Sequence, residues 1–262
     1  MNFPQFPHPV LSLVALAGGL LIGSFLNVVI HRGPSLWGLV EGENRGTLVS
    51  PRSYCPACKA PIPASGLIPI VSFLLQRGRC RNCAAMISPR YPIVEALGGL
   101  VALTAVAASG WTLAALALSV FGFSLLALAF IDLETGYLPD AITLPLIAAG
   151  LGANAFALFV PFTDAVIGAA AGYAALQGVA LAYKRLRGRD GMGEGDAKLL
   201  AAIGAFGGWT ILPFVVFAGA AGTLAVAILR KTAALNEPLP FGPGLCAAGF
   251  LVVIAARVFN VP

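Results

Sequence analysis

The sequence predicts an all-α polytopic membrane protein of about eight transmembrane helices with one polar, four-cysteine loop domain. Three observations predict it. Charged residues make up 10% of the 262 positions, against about 25% in an average soluble domain. Hydrophobic residues make up 58% and mean hydropathy is +0.89, more apolar surface than a water-soluble domain of this length can cover. The charges, 16 Lys and Arg against 11 Asp and Glu, fall in the gaps between apolar runs. A nucleic-acid binder would gather them into one basic face, so nucleic acid is excluded as a partner and the lipid bilayer takes its place. The 31 Gly and 19 Pro sit in apolar sequence and mark helix packing and helix ends.

The elements follow from the charge-free stretches, because about 20 apolar residues cross a hydrocarbon core of about 30 Å. Residues 9–30 form the first span. No small-residue cleavage site follows it, so it is expected to be a retained helix and not a removed signal peptide. Residues 96–131 carry no charge and would reach roughly 54 Å as one helix. Ser109, Gly110 and Trp111 supply a break and an interfacial aromatic, so this run is expected to be two helices joined by a tight turn. Residues 141–163 and 165–183 make a fourth and a fifth span. Residues 199–229 are interrupted by Gly207, Gly208, Trp209 and Pro213, which points to two short or tilted helices, and residues 238–256 make the eighth.

Positive loops stay in the cytoplasm. Arg32, Arg45, Arg52, Lys59, Arg77, Arg79, Arg81 and Arg90 all lie between spans one and two. Lys184, Arg185, Arg187 and Arg189 follow span five, Lys198 opens span six, and Arg230 and Lys231 follow span seven. Eight crossings put all of these on one side, leaving Arg257 for the other and both termini outside the cytoplasm. The expected organisation is a first transmembrane helix over 1–31, a cytoplasmic zinc-binding loop domain over 32–92, and a membrane core of about seven helices over 93–262.

The polar loop holds Cys55-x2-Cys58 and, after 21 intervening residues, Cys80-x2-Cys83. Each pair presents two thiolates from one turn to a tetrahedral ion, and Lys59, Arg77, Arg79 and Arg81 would offset the charge of a four-thiolate zinc site. A disulfide pair or buried thiols are the alternatives, the first disfavoured in a reducing compartment. A closed four-cysteine site leaves no open coordination position, so its expected role is structural. Cys246, alone in the last span, reads as a small packing residue.

Ionisable residues at membrane depth are costly and call for an explanation. Asp132 ends span three in Ile131-Asp132-Leu133-Glu134-Thr135-Gly136-Tyr137-Leu138-Pro139-Asp140, and Asp196 opens span six in Gly191-Met192-Gly193-Glu194-Gly195-Asp196-Ala197-Lys198. Two carboxylates that meet at a partly dry interface can share one proton, the neutral acid polarising a carbonyl while the carboxylate activates water. Gly193 and Gly195 form the supporting loop that lets backbone approach a substrate or a facing helix. Asp140 after Pro139, and Asp164, read as helix N-caps, and a cap is also the alternative reading of Asp196. Glu134 and Glu194 read as solvated carboxylates, and Glu95 as the partner of Arg90 or Lys198, with a direct role in the chemistry as the alternative. Ser24, Asn27 and His31 share one face of span one, where interhelical hydrogen bonding is the expected use and a metal role for His31 the alternative.

Five ordered segments together carry a family resemblance: Gly23-Ser24-Phe25-Leu26-Asn27-Val28-Val29-Ile30-His31-Arg32, the two cysteine pairs, Ile87-Ser88-Pro89-Arg90-Tyr91-Pro92-Ile93-Val94-Glu95, the run from Ile131 to Asp140, and the Gly-x-Gly-Asp run ending at Asp196. The chain resembles the type IV prepilin peptidases, bacterial leader peptidases of the Gly-x-Gly-Asp aspartyl class. Two local departures, Pro89 and Gly136-Tyr137, touch neither acid. The resemblance implies catalysis by Asp132 and Asp196 and cleavage of the leader of type IV prepilins or type II secretion pseudopilins at the cytoplasmic face of the bacterial inner membrane. It also implies N-methylation of the new N-terminus with S-adenosylmethionine. Methylation rests on the resemblance alone: a Gly-x-Gly-x-x-Gly fingerprint starting at Gly191 would need Gly where Asp196 stands. The cofactor-binding residues are unassigned, and the stretch Gly78-Arg79-Cys80 is the first place to seek them. Two rival readings remain, a zinc-loop membrane scaffold that recruits partners and a small transporter without protease activity, although neither midplane acids nor a pseudo-repeat supports the transporter.

The charge distribution makes one prediction by itself. Reporter fusions at Glu43 and at Ser109 are expected to report opposite sides of the membrane, with Glu43 cytoplasmic, and same-side results would refute the assigned helix count and orientation.

Overall fold

A computed structural model describes residues 9–40, 45–188, 193–229 and 240–259. Gly191, Met192, Arg189, Arg230, Lys231, Glu43 and residues 238–239 of the expected eighth span lie outside the described residues.

The described chain is helical: α1 (Pro9–Leu36), α2 (Val71–Leu75), α3 (Arg90–Ser109), α4 (Leu113–Thr135), α5 (Asp140–Ala155), α6 (Phe162–Arg187), α7 (Glu194–Gly207), α8 (Leu212–Leu229) and α9 (Gly242–Phe259). Between α1 and α3 lie the short α2, a 3-10 turn over Ala64–Leu67 and two isolated β-bridges. The two sequence breaks fall where expected. Gly110, in the left-handed half of backbone space, ends α3 before Thr112 caps α4 through a hydrogen bond from the Ala115 N–H. Gly208 at φ 78° closes α7 before Pro213 enters the first turn of α8.

Five helices, α1, α3, α4, α6 and α9, are long and apolar enough to cross a bilayer, and the protein is a multi-pass membrane protein. Their outward side chains, among them Leu13, Leu116, Ile167 and Leu251, are exposed large hydrophobics, a pattern that requires lipid as solvent. Helices α5 and α8 are apolar but shorter, and α7, with 14 residues, spans only about 21 Å. The sequence expectation of one span over 141–163 is corrected here. Asn154 ends α5 early: its side-chain oxygen accepts the N–H groups of Phe159 and Val160, each at 3.1 Å, and turns the chain back.

Helix α7 lies at the centre, packed against α5, α6 and α9. Leu199, Leu200, Ala202, Ile203, Ala205 and Phe206 are wholly buried, and Phe206 stacks on Phe121 of α4 at a ring separation of 4.4 Å. Contact with α6 depends on paired glycines. A Cβ at Gly204 would stand 2.2 Å from the Gly168 carbonyl oxygen, and one at Gly168 would stand 2.4 Å from that of Gly204. Small residues that bring backbones together are the usual means of helix association where lipid supplies no hydrophobic drive. The same Asn154 amide donates to the carbonyls of Ala205 at 2.8 Å and Phe206 at 3.1 Å, satisfying two C-terminal acceptors of α7.

Asp140 and Asp164 are not N-caps. Pro139 and Pro161 hold the cap positions, and both acids stand inside the first turn, where a carboxylate still complements the helix N-terminus. Proline at the cap offers no hydroxyl or carboxylate, and the acids stand one and three residues beyond it, respectively.

Gly204→Leu is expected to force α6 and α7 apart and cost about 1–3 kcal/mol or more, read as a lowered unfolding temperature in detergent. Gly178→Ala, on α6 with nothing within 4 Å of the added Cβ, is expected to be neutral or to raise it.

Candidate active site

Asp132 stands one turn from the end of α4. Gly136 stops that helix in the left-handed conformation, φ 71°, with its N–H donating to the Asp132 carbonyl at 2.8 Å. A residue with a Cβ would resist this geometry, so the glycine fixes how far beyond the acid the chain turns. Asp196 stands in the first turn of α7, whose cap is Gly193. Gly195 lets this turn close onto the α4–α5 connection: a Cβ there would lie 2.8 Å from the Leu138 Cβ. A Cβ at Gly193 would make only an ordinary contact, 3.9 Å from the Gly195 nitrogen, so of the two supporting glycines only Gly195 is required by packing.

The fold brings the two acids together. Asp132 is buried, at 7% exposure, and Asp196 is partly buried. The charge of Asp132 acts on Asp196. Both charges act on Cys246, which is wholly buried on α9 and is the packing residue expected. The third wall of the site is the start of α9. The Gly242 N–H donates to the Asp132 carboxylate, and a Cβ at Gly242 would stand 2.5 Å from Asp132 Oδ2. Gly242 was missed in the sequence reading. Its signal was the run Phe241-Gly242-Pro243-Gly244 at the head of an apolar span, but nothing in the spacing connects it to Asp132.

Neighbouring charges are neutralised in pairs. Lys198 Nζ donates to both oxygens of Asp140, at 2.9 and 3.0 Å, and pairs with Glu194 at 3.3 Å. Arg90 pairs with Glu134. Both glutamates expected to be solvated are therefore ion-paired. Glu95 pairs with neither Arg90 nor Lys198. It is buried at 9% exposure, accepts the Ile70 N–H at 2.7 Å and is hydrogen-bonded to Ser24. Asn27 Nδ2 donates to the Tyr91 carbonyl on α3 at 3.1 Å, the interhelical role expected for this face.

The four cysteines of the loop also converge. Their sulfurs all lie within 4.8 Å of one another, with Cys55 and Cys83 Sγ 3.9 Å apart. Thiolates around a tetrahedral ion at about 2.3 Å stand about 3.8 Å apart. No disulfide joins them. The two pairs are backbone copies of each other. Cys55 N–H bonds to Ala60 O and Lys59 N–H to Cys55 O, as Cys80 N–H does to Ala85 O and Ala84 N–H to Cys80 O. Lys59 and Ala84 share a left-handed φ of 58° and 57°. The side-chain amide of Asn82, with the Ala60 backbone, holds the Cys58 thiol down at about 6. One ligand is thereby offered as thiolate at neutral pH, so the cluster fits a metal ion. Lys59, expected to offset the thiolate charge, places its Nζ over the Tyr54 ring, 5.1 Å from the centroid.

Comparison with known proteins agrees with this arrangement. Residues 17–109 match a family model described as the bacterial peptidase A24 N-terminal domain, and residues 119–228 match the type IV leader peptidase family. A protein named prepilin leader peptidase/N-methyltransferase from Aeromonas salmonicida is 45% identical over 95% of this chain and 91% of its own length. Proteins of the same name from Neisseria gonorrhoeae and Pseudomonas aeruginosa are 43% and 40% identical, over 90% and 94% of this chain and 88% and 91% of their own lengths. No solved structure matches the chain. The first model covers the four cysteines and the second covers both acids, and the chain belongs to the type IV leader peptidase family, a family of proteases.

Proposed function

We propose that the protein is a membrane aspartyl endopeptidase that cleaves the leader of type IV prepilins or pseudopilins at the cytoplasmic face of the bacterial inner membrane and methylates the new N-terminus. The observation that carries this reading is the meeting of Asp132 and Asp196, far apart in sequence, at the ends of α4 and α7 within reach of each other's charge. The names of the relatives supply the substrate class and the second activity. Membership of a protease family disfavours the scaffold and transporter readings.

The chemistry follows from two carboxyl groups sharing one proton. The ionised member takes a proton from water as its oxygen attacks the scissile carbonyl, and the neutral member hydrogen-bonds the developing oxyanion. Proton return to the amide nitrogen then breaks the C–N bond and frees the carboxylate and the new amine. Both acids sit at helix ends, and a substrate whose hydrophobic helix stays in the bilayer presents its leader junction at that depth. The organisation that serves this is the first helix over 1–31, the loop domain over 32–92 and the protease core over 93–262.

The cysteine cluster is assigned a structural zinc held by Cys55, Cys58, Cys80 and Cys83. When bound it supplies folding free energy to a segment with few buried apolar side chains. Four sulfur ligands close the coordination sphere, so the ion takes no part in cleavage. S-adenosylmethionine would supply the transferable methyl group. A Rossmann-type cradle does not fit this fold, since the described residues contain only isolated bridges and no strand that opens into a helix. No step is derived through that cofactor.

Asp132→Asn or Asp196→Asn is expected to abolish cleavage, a loss on the order of a thousandfold or more. The double variant should fall no further, because the pair acts as one unit. Methylation of an already cleaved substrate should survive. Asp140→Asn removes only a partly exposed ion pair with Lys198, about 0.2–1 kcal/mol, and cleavage should persist. Normal cleavage by Asp132→Asn or Asp196→Asn would remove that residue from the mechanism.

Purified, reduced protein is expected to carry about one zinc per chain by elemental analysis. Cys58→Ser should lower both metal content and unfolding temperature. Metal-free preparations of full stability would refute the zinc assignment.

A further inference from the structure

The start of α9 touches the proposed dyad, and the mechanism above gives it no task. Four N–H groups at a helix start have no partner within the helix. In α9 the first of them, Gly242 N–H, donates to the Asp132 carboxylate. The next position is Pro243, which has no N–H, and Leu245 N–H already bonds to the Phe241 carbonyl at 3.1 Å. The Gly242 donor is thus directed at Asp132, and the space is cut to match: a Cβ at position 242 would stand 2.5 Å from Asp132 Oδ2 and 3.0 Å from its Cγ. Gly244, two residues on, faces elsewhere. A Cβ there would meet Thr223 Oγ1 and the Gly219 carbonyl of α8.

We infer that Gly242 is a positioning residue for the cleavage reaction: its backbone N–H and its lack of a side chain clamp the Asp132 carboxylate by one oxygen, leaving the other to take the proton from water. This rests on the reading of Asp132 and Asp196 as the catalytic pair. Asp132 projects from α4 and Asp196 from α7, and α9, like α5, packs against both helices. An unclamped carboxylate rotates about its Cβ–Cγ bond and presents either oxygen. Clamped at one oxygen by backbone, it offers a single reacting oxygen in one orientation, and near-attack geometry is where enzymes gain most from rigidity. The donor comes from the main chain, so no substitution of a side chain could have supplied it, and only glycine leaves room for the carboxylate to reach it.

The test compares Gly242→Ala with Gly244→Ala and Asp132→Asn in the full chain, reading kcat and KM for cleavage of a prepilin together with unfolding temperature. Gly242→Ala should lower kcat at least tenfold with KM within twofold of the parent, because the substrate still binds but meets a displaced carboxylate. Gly244→Ala, which disturbs only the α8 contact, should lower the unfolding temperature with a smaller effect on kcat. If Gly242→Ala is itself unstable, adding Asp132→Ala should restore its unfolding temperature, since the colliding carboxylate is then gone. Near-parental kcat in Gly242→Ala, a raised KM with kcat intact, or failure of Asp132→Ala to restore stability would each overturn the inference. Asp132→Asn separates the two readings. Full activity in that variant sinks the dyad, whereas an inactive Asp132→Asn beside a fully active Gly242→Ala leaves the dyad standing and removes the clamp.

Discussion

The position of α7 is the constraint on which the rest of the molecule depends. This helix is too short to cross a bilayer alone, yet it carries Asp196 at one end and must end in the middle of the protein at the other. Its first turn closes on Leu138 through Gly195, its middle lies against α6 through Gly168 and Gly204, and its last carbonyls are satisfied by Asn154. Each contact fixes a different degree of freedom: the depth of the N-terminus, the distance to α6, and the end of the helix. A buried helix end without hydrogen-bond partners would be costly in a medium that offers no water. Asn154 removes that cost with one side chain that also turns the following loop.

The polar groups of the bundle divide by how they are compensated. Asn154 uses its whole amide, Arg90 is matched by Glu134, Lys198 by Asp140 and Glu194, and Glu95 by Ile70 and Ser24. Against this background the two aspartates stand out, because the charge that acts on Asp196 is the like charge of Asp132. A protein built only for stability has no reason to bury two acids side by side, since replacement by apolar residues of like size would be less costly. That is the physical argument for function, and it holds independently of family membership. The environment that makes the pair costly is also the one that makes a shared proton useful.

Legibility in the sequence followed the range of the interactions. The helices could be read because apolar runs and their breaks are local: Ser109-Gly110-Trp111 and Gly207-Gly208 end helices where the sequence says they should. The cysteine pairs were readable because each knuckle is local, although the backbone identity of the two knuckles was hidden by their differing residues. What could not be read was partner choice across helices. Glu95 looked like a partner for a cation and instead takes a backbone N–H from Ile70, because Ile70 sits at φ 60°, a conformation no sequence rule assigns to isoleucine. Asp140 looked like a cap because Pro139 already filling that position leaves no mark in the residue pattern. Gly242 was silent because a glycine carries no signal of what its missing side chain makes room for.

The Glu95 contact also shows how the loop and the membrane core form one object. Ile70 lies immediately before α2 in the loop, Ser24 lies on α1, and Glu95 lies on α3. One buried carboxylate therefore joins the loop to both helices that flank it. The cysteine knuckles lie on either side of this tether in sequence, so order in the loop reaches α1 and α3 through hydrogen bonds to one buried carboxyl group. A loop tied in this way is held in a fixed register against α1 and α3. The tether joins this polar segment, about a quarter of the chain, to α1 and α3, both of which pack against α4, the helix that carries Asp132.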